Sequence, residues 1–295
     1  MRDFLPADVR RREYVIRRIK DVYERYGFEP LETPAVENIE TLLGKYGEEG
    51  NQLIFKILKR GEHERTGEAD LALRYDLTVP LARVVAEYGD KLPRFFKRYQ
   101  IQPVWRADRP ARGRFREFYQ CDVDCIGTRS PVVEAELCAA ASDALTKLGF
   151  EDFTIHLNHR QVLTAMLDND GVTPDKHVAV LVVIDKIEKI GITGVMRELD
   201  ALEIDLNVRE NLINSLTITP IEPEMRLPED ESGKLENEER NAYLLDHLTS
   251  SFGNHEAGLQ GVENLRRIVE YSAAYGTQKR IRIDQIGRAS CRERV

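Results

Sequence analysis

The chain has 295 residues, 42% of them hydrophobic and 32% charged, with a formal net charge of -8. That much apolar material excludes a disordered chain and suffices for one large core or two domains. The acidic balance excludes whole-chain attraction to nucleic acid, so any polyanion needs a local basic patch.

Residues 7–26 (ADVRRREYVIRRIKDVYERY) predict an amphipathic helix, with Val9, Tyr14, Ile16, Ile19, Val22 and Tyr23 near one face and basic residues over the rest. Gly27 supplies a stop. Residues 28–36 read as an extended segment that Pro30 and Pro34 confine to an edge or irregular strand. Residues 48–70 are charged and Gly-punctuated, a loop or hairpin, and residues 71–75 are strand-like. Residues 78–88 (TVPLARVVAEY) begin a helix with Thr78 as candidate cap and Pro80 in the first turn. Residues 95–106 and 114–126 have strand character and flank the turn-rich ADRPARG, which predicts a long antiparallel hairpin. Further on, residues 132–148 are helical, 153–157 a short strand, 160–169 helical, and 170–275 mostly helical. Within the last span the acidic residues 221–240 read as a solvated linker, and IRID at 281–284 hints at a return to strand. Strands and helices mix without regular βαβ alternation, which favours an α+β class: an antiparallel sheet flanked by helices, with a mostly helical insertion.

Four cysteines stand at positions 121, 125, 138 and 291. The Cys121/Cys125 spacing is wrong for a zinc knuckle and no second pair follows, so no metal site is expected. Few cysteines, a charged N-terminal stretch and no bilayer-length apolar run lead us to expect a cytoplasmic protein with no membrane association.

Neither common phosphate loop occurs in the sequence. The candidate anion site is the hairpin, where Arg106, Arg109, Arg112, Arg114 and Arg116 crowd one strand–loop–strand and Asp108 and Glu117 supply only part of the countercharge. Guanidinium suits phosphate because its planar donors bind oxygens in pairs; the competing reading is a surface salt-bridge ladder. Strand parity favours the ligand. Arg114, Arg116, Phe118, Gln120, Asp122 and Asp124 share one face, whereas Phe115, Tyr119, Cys121, Val123 and Cys125 share the other, which is apolar with Glu117 the exception. The polar face grades from cations through an aromatic and an amide to carboxylates. That order suits a ligand with phosphate at one end and an ammonium or imidazole at the other, with adenine stacked on Phe118. Asp76 and Thr78, at a strand-to-helix turn, serve either as helix caps or as ligand contacts. His156 and His159 are read as structural.

At these residues a family resemblance emerges. RDFLP (2–6), GFEPLETPAVE (27–37), LLGKYGE (42–48), LRYDLTVP (73–80) and RYQIQPVWRADRPARGRFREFYQCDVDCIG (98–127) resemble, in order, blocks of histidyl-tRNA synthetase, a class II aminoacyl-tRNA synthetase. The second and last look like class II motifs 1 and 2. The resemblance covers nearly all of residues 2–285 and implies ATP-dependent activation of L-histidine, with Mg²⁺, followed by transfer to tRNA(His). It implies a catalytic role for Arg106 at the substrate carboxylate and α-phosphate. The ATP set would be Arg106, Asp108, Arg114 and Phe118; the histidine set Asp76, Thr78, Arg106, Gln120 and Asp124. Motif 1 implies a homodimer.

The domain organisation expected from this resemblance is a catalytic core over 1–169, a helical insertion over 170–275, and a return to the core over 276–285. After IRID the family continues into an RGLDYYTG-like segment. Here IGRASCRERV follows, and residues 286–295 read as a non-native tail on a truncated chain. The expectation is that this polypeptide has little aminoacylation activity, and that an unfinished sheet edge makes it aggregation-prone. The alternative function is a non-catalytic relative, the histidine-sensing regulatory subunit of ATP phosphoribosyltransferase, which need not keep the ATP-reading set.

Overall fold

The computed structural model describes residues 2–43, 53–59, 67–109, 111, 113–216 and 237–284. The chain divides into two compact units: Met1–Arg129 with Asp143–Gly149, and Ser130–Ser142 with Phe150–Val295.

The first unit opens with helix α1 (Pro6–Arg25), whose proline lies in the first turn, where no amide partner is lost. Gly27, at φ +76°, ends it: Gly27 N–H donates to Glu24 O (3.0 Å) and Phe28 N–H to Tyr23 O (3.0 Å). Of the predicted apolar stripe, Val22 and Tyr23 are buried, while Tyr14 remains 53% exposed. Tyr23 packs on Phe28 and Tyr99 with centroids 6.1 Å apart.

Strand β1 (Glu29–Pro30) pairs in parallel with β5 (Phe96–Trp105), and β5 pairs antiparallel with β6 (Glu117–Ile126) over ten residues, in the order β1-β5-β6. Pro30 is tolerated because β1 is an edge strand. The hairpin's register runs from Phe96 opposite Ile126 to Trp105 opposite Glu117. A second sheet, β2 (Val36–Asn38), β4 (Ala69–Leu73) and β3 (Lys56–Leu58), is antiparallel in the order β2-β4-β3. It packs with α2 (Ile39–Leu42) and α3 (Thr78–Tyr88) around Leu42, Ile54, Ala72, Tyr75 and Val79. Arg83 of α3 holds Glu37 of β2 with two donors, at 2.9 and 2.8 Å. One expectation is corrected: Thr78 is not the cap of α3. Asp76 Oδ1 accepts from Val79 N–H (3.1 Å), so the carboxylate three residues before the free amide caps the helix.

Helix α4 (Val132–Lys147) falls partly in each unit. The second unit adds β7 (Ile155–Leu157), α5 (Arg160–Asp170), α6 (His177–Ile184), α7 (Ile187–Ala201), α8 (Leu206–Leu216), α9 (Asn237–Ser251), α10 (Glu256–Ala274) and β8 (Ile281–Ile283). Residues 237–240, expected in the acidic linker, lie instead in α9; residues 221–236 lie outside the described residues. The pairings β1·β5 and β7·β8 are parallel, so the α+β expectation of antiparallel pairing holds for the hairpin and the second sheet only.

The helical core gathers Val162, Met166, Leu199, Leu245 and Leu265 among others. Gly258 and Gly261 let α10 approach α5 closely: a Cβ at Gly258 would sit 2.5 Å from Ala165 Cβ. Buried Asn241 docks β8, donating to Ile281 O and accepting from Ile283 N–H, both at 2.8 Å. His159 caps α5 by accepting from Gln161 N–H (3.3 Å). His156 Nδ1 lies 3.1 Å from Asp284 Oδ2. No helix among the described residues is long and apolar enough to cross a membrane.

Candidate active site

The hairpin β5–β6 is the frame. In its register Arg98, Gln100, Gln102 and Val104 lie opposite Asp124, Asp122, Gln120 and Phe118. Since side chains alternate faces, all eight share one face. The opposite face of β6 meets α1 and the N-terminal segment: Arg12 lies 4.6 Å from the Tyr119 ring, Arg2 4.7 Å from the Phe115 ring, and Cys121 Sγ 3.9 Å from Tyr23 Oη. The helix covers that face incompletely, and Tyr119 stays 42% exposed.

On the polar face the expected gradient is present in space. The Arg106 guanidinium sits 5.1 Å from the Phe118 ring centroid and donates from Nε to Tyr75 O at 3.0 Å. Arg106 therefore links the start of the connector to the turn that carries Asp76. In the connector Arg114 pairs with Asp108 (2.9 Å), and Arg116 Nε donates to Asp108 O (3.1 Å). Arg106 N–H donates to Arg116 O (2.8 Å), closing the strand ends over this pair. Arg114 is largely exposed, and Arg109 is exposed too. Arg112 lies outside the described residues.

Further along β6, Gln120 Nε2 lies 3.5 Å from Asp122 Oδ1, while its buried Oε1 accepts no hydrogen bond from the described residues. Asp124 Oδ2 stands 2.7 Å from Arg98 Nη2, an ion pair by distance, yet it too accepts no aligned hydrogen bond from the described residues. Two acceptors left without aligned donors on one face are costly, and a donor-rich ligand would relieve them. Phe118 and Asp124 are six residues apart, about 20 Å at the ~3.4 Å rise of a strand. That span accommodates a nucleotide joined to an amino acid. Asp76 is buried at the neighbouring turn and Thr78 is half-buried beside it.

Across β5 the same face continues as a buried polar layer that pattern reading missed. Arg74 is 1% exposed, and Arg98 and Gln100 are fully buried. Arg74 donates to Pro103 O, Thr33 O, Pro34 O and Gln102 Oε1; Gln100 Nε2 donates to Thr33 Oγ1 (2.9 Å) and Gln102 Oε1 (2.6 Å). Arg98 donates to Gln100 Oε1 (3.1 Å) and Leu77 O (3.4 Å). Burial holds Arg74 below the usual arginine range, opposed by Glu37 and Glu32. The period-two run Arg98, Gln100, Gln102 on β5 was the available signal.

Among the described residues no three His, Cys, Asp or Glu side chains gather as metal ligands.

The histidyl-tRNA synthetase family matches residues 1–225. A histidine–tRNA ligase of Gloeobacter violaceus is 42% identical over 292 residues, covering 93% of this chain and 58% of the relative. The chain thus spans less than two thirds of the length of the curated relatives it matches. The crystal structure of histidyl-tRNA synthetase from Nostoc sp. PCC 7120 superposes with a TM-score of 0.79 at 30% identity, over 97% of this chain and 59% of that one. A Bacillus halodurans structure titled as an ATP phosphoribosyltransferase regulatory subunit/histidyl-tRNA synthetase shares the fold, with a TM-score of 0.74 at 20% identity, over 97% of this chain and 67% of that one.

Proposed function

The chain belongs to the histidyl-tRNA synthetase family, and from that premise we propose that it carries the adenylate-forming site of a histidine–tRNA ligase. The observation that carries this reading is the graded floor of β6, with its two acceptors lacking aligned donors, Gln120 Oε1 and Asp124 Oδ2. In this reading Phe118 stacks on adenine, Asp108 reads its amino group, and Arg114 and Arg106 meet the phosphates. Asp76, Thr78 and Gln120 surround the histidine ammonium, Arg106 holds the carboxylate, and Asp124 faces the imidazole.

The histidine carboxylate oxygen attacks the α-phosphorus of ATP. A new P–O bond forms as the α–β bridging bond breaks, and pyrophosphate leaves. A hydroxyl of the terminal ribose of tRNA(His) then attacks the adenylate carbonyl, and AMP departs. No covalent protein nucleophile is needed. Catalysis comes from alignment and from guanidinium donors aimed at the phosphate oxygens. Mg²⁺ bound with the nucleotide would neutralise phosphate charge. Full aminoacylation is assigned to a protein of the relatives' length, working as a cytoplasmic homodimer joined through the motif 1 segment. The 295 residues are expected to bind the adenylate, with turnover weak.

The test is calorimetric binding of ATP and of histidyl-sulfamoyl-adenosine, an unreactive adenylate analogue. The reading requires both to bind, the analogue more tightly. Binding of histidine without ATP or the adenylate analogue would instead favour the histidine-sensing alternative, and binding of none refutes both.

A further inference from the structure

A fully buried arginine on β5 calls for explanation. Taking a guanidinium out of water costs several kcal/mol, and a well-packed apolar residue at such a position is often neutral or better for stability. Arg98 has 0% side-chain exposure, yet it sits in the middle of the hairpin, directly opposite Asp124. Its contacts are not arbitrary. Nη2 pairs with Asp124 Oδ2 at 2.7 Å and reaches Leu77 O at 3.4 Å, while Nη1 donates to Gln100 Oε1 at 3.1 Å. Leu77 lies between Asp76 and Thr78. One rigid, planar fork therefore spans both edges of the proposed amino-acid subsite: the turn assigned to the ammonium and the carboxylate assigned to the imidazole. Gln100, itself held by Thr33 Oγ1, fixes the other arm of the fork.

Resting on the reading above, we propose that Arg98 is a positioning and specificity-determining residue of the histidine subsite. It sets the distance between Asp124 and the Asp76–Thr78 turn. It also balances the charge of Asp124, so that the carboxylate accepts from a neutral imidazole N–H and gains nothing from a cationic side chain. An uncompensated Asp124 would attract an ammonium at the same place, because a buried carboxylate interacts strongly with any nearby cation.

The experiment is calorimetric titration with three ligands: ATP, histidyl-sulfamoyl-adenosine, and 2,4-diaminobutyryl-sulfamoyl-adenosine, whose side-chain ammonium has about the reach of the imidazole. The wild type should prefer the histidyl ligand. Arg98→Met should weaken histidyl binding about 10- to 100-fold, leave ATP within about twofold, and narrow or invert the preference over the diaminobutyryl ligand. Arg98→Lys keeps the charge without the fork. It should lose histidyl affinity while still rejecting the diaminobutyryl ligand, and it serves as the test if Arg98→Met does not fold. A merely structural arginine would move all three affinities together. An equal fall for the two aminoacyl ligands, or unchanged histidyl affinity in both variants, overturns the inference alone. Failure of the wild type to bind either aminoacyl ligand overturns the proposed function and this inference with it.

Discussion

Arg74 offers the sharpest test of whether the polar layer holds the first unit together. Its guanidinium, with 1% exposure, donates to three backbone carbonyls: Pro103 O at 3.0 Å, Pro34 O at 3.1 Å, and Thr33 O. It also reaches Gln102 Oε1 at 3.0 Å, but that oxygen keeps Gln100 Nε2 and Thr33 N–H as donors. Arg74→Met would thus strand the carbonyls of Thr33 and Pro103, whereas Pro34 is exposed and its carbonyl can turn to water. At about 1–3 kcal/mol each the gross loss is about 2–6 kcal/mol. Relief from burying a charge offsets part of it, an offset real enough to depress the arginine's pKa. A net cost of about 3 kcal/mol results. Carbonyls outweigh the offset because a backbone acceptor cannot be mutated away with its donor. With a urea slope of about 3 kcal/mol/M, the midpoint should fall by about 1 M. Trp105 is the one tryptophan in the sequence, it lies in the same unit, and its ring is 6.0 Å from the Arg74 guanidinium. Its fluorescence therefore reports this unit's unfolding. An unchanged or raised midpoint at constant slope would refute the argument, because the carbonyls would then be satisfied without the guanidinium.

Phe118→Leu should weaken ATP binding about 5- to 150-fold, from the ~1–3 kcal/mol that base–aromatic stacking supplies, and leave histidine binding alone; equal ATP affinity by calorimetry would remove Phe118 from the nucleotide site. Burial lowers the pKa of His159, so the folded state binds its proton less readily than the unfolded chain. The stability His159 confers is thus complete above the unfolded value of about 6.5 and is lost as pH falls below it. Thermal unfolding should show that decline between about pH 7 and 5, and His159→Asn, which keeps an acceptor for Gln161 N–H, should flatten it; a variant with the wild-type slope assigns the decline elsewhere. At the end of β6, Gly127 has φ +104° and a Cβ there would lie 1.9 Å from Arg94 O. Gly127→Ala should cost about 3 kcal/mol or more, and a Trp105-monitored midpoint within about 0.2 M of wild type would contradict that geometry.

Much of the candidate site was legible because β6 obeys simple parity. Phe118, Gln120, Asp122 and Asp124 alternate with Tyr119, Cys121 and Val123, and a strand has no freedom to place them otherwise. A helix end was legible where glycine adopts positive φ, as at Gly27. Of the two candidate caps of α3, Thr78 was misread and Asp76 was not, because a boundary residue and a capping residue look alike in sequence. Thr78 begins the helix, but the oxygen that reaches a free amide belongs to Asp76. The parallel pairings of β1 with β5 and β7 with β8 were illegible, since they join segments far apart in the chain and strands of two or three residues leave no periodic trace.

The buried layer of β5 was missed for a different reason, and the reason bears on function. Composition treats arginine and glutamine as surface residues, so nothing in the sequence marks Arg98, Gln100 and Gln102 as interior. They are buried or half-buried all the same. A sheet whose only task was to fold would bury aliphatic side chains there and keep its charges outside. This hairpin turns its partly apolar face towards α1 and spends its interior positions on hydrogen-bonded side chains that orient Asp124 and the Asp76 turn. In the proposed reading, local rules of burial are broken where a ligand has to be read. Stability then comes from the Leu42–Ile54–Tyr75 cluster, the packing of α1 and the carbonyl contacts of Arg74, which leaves Arg98 and Gln100 to hold Asp124 and the Asp76 turn.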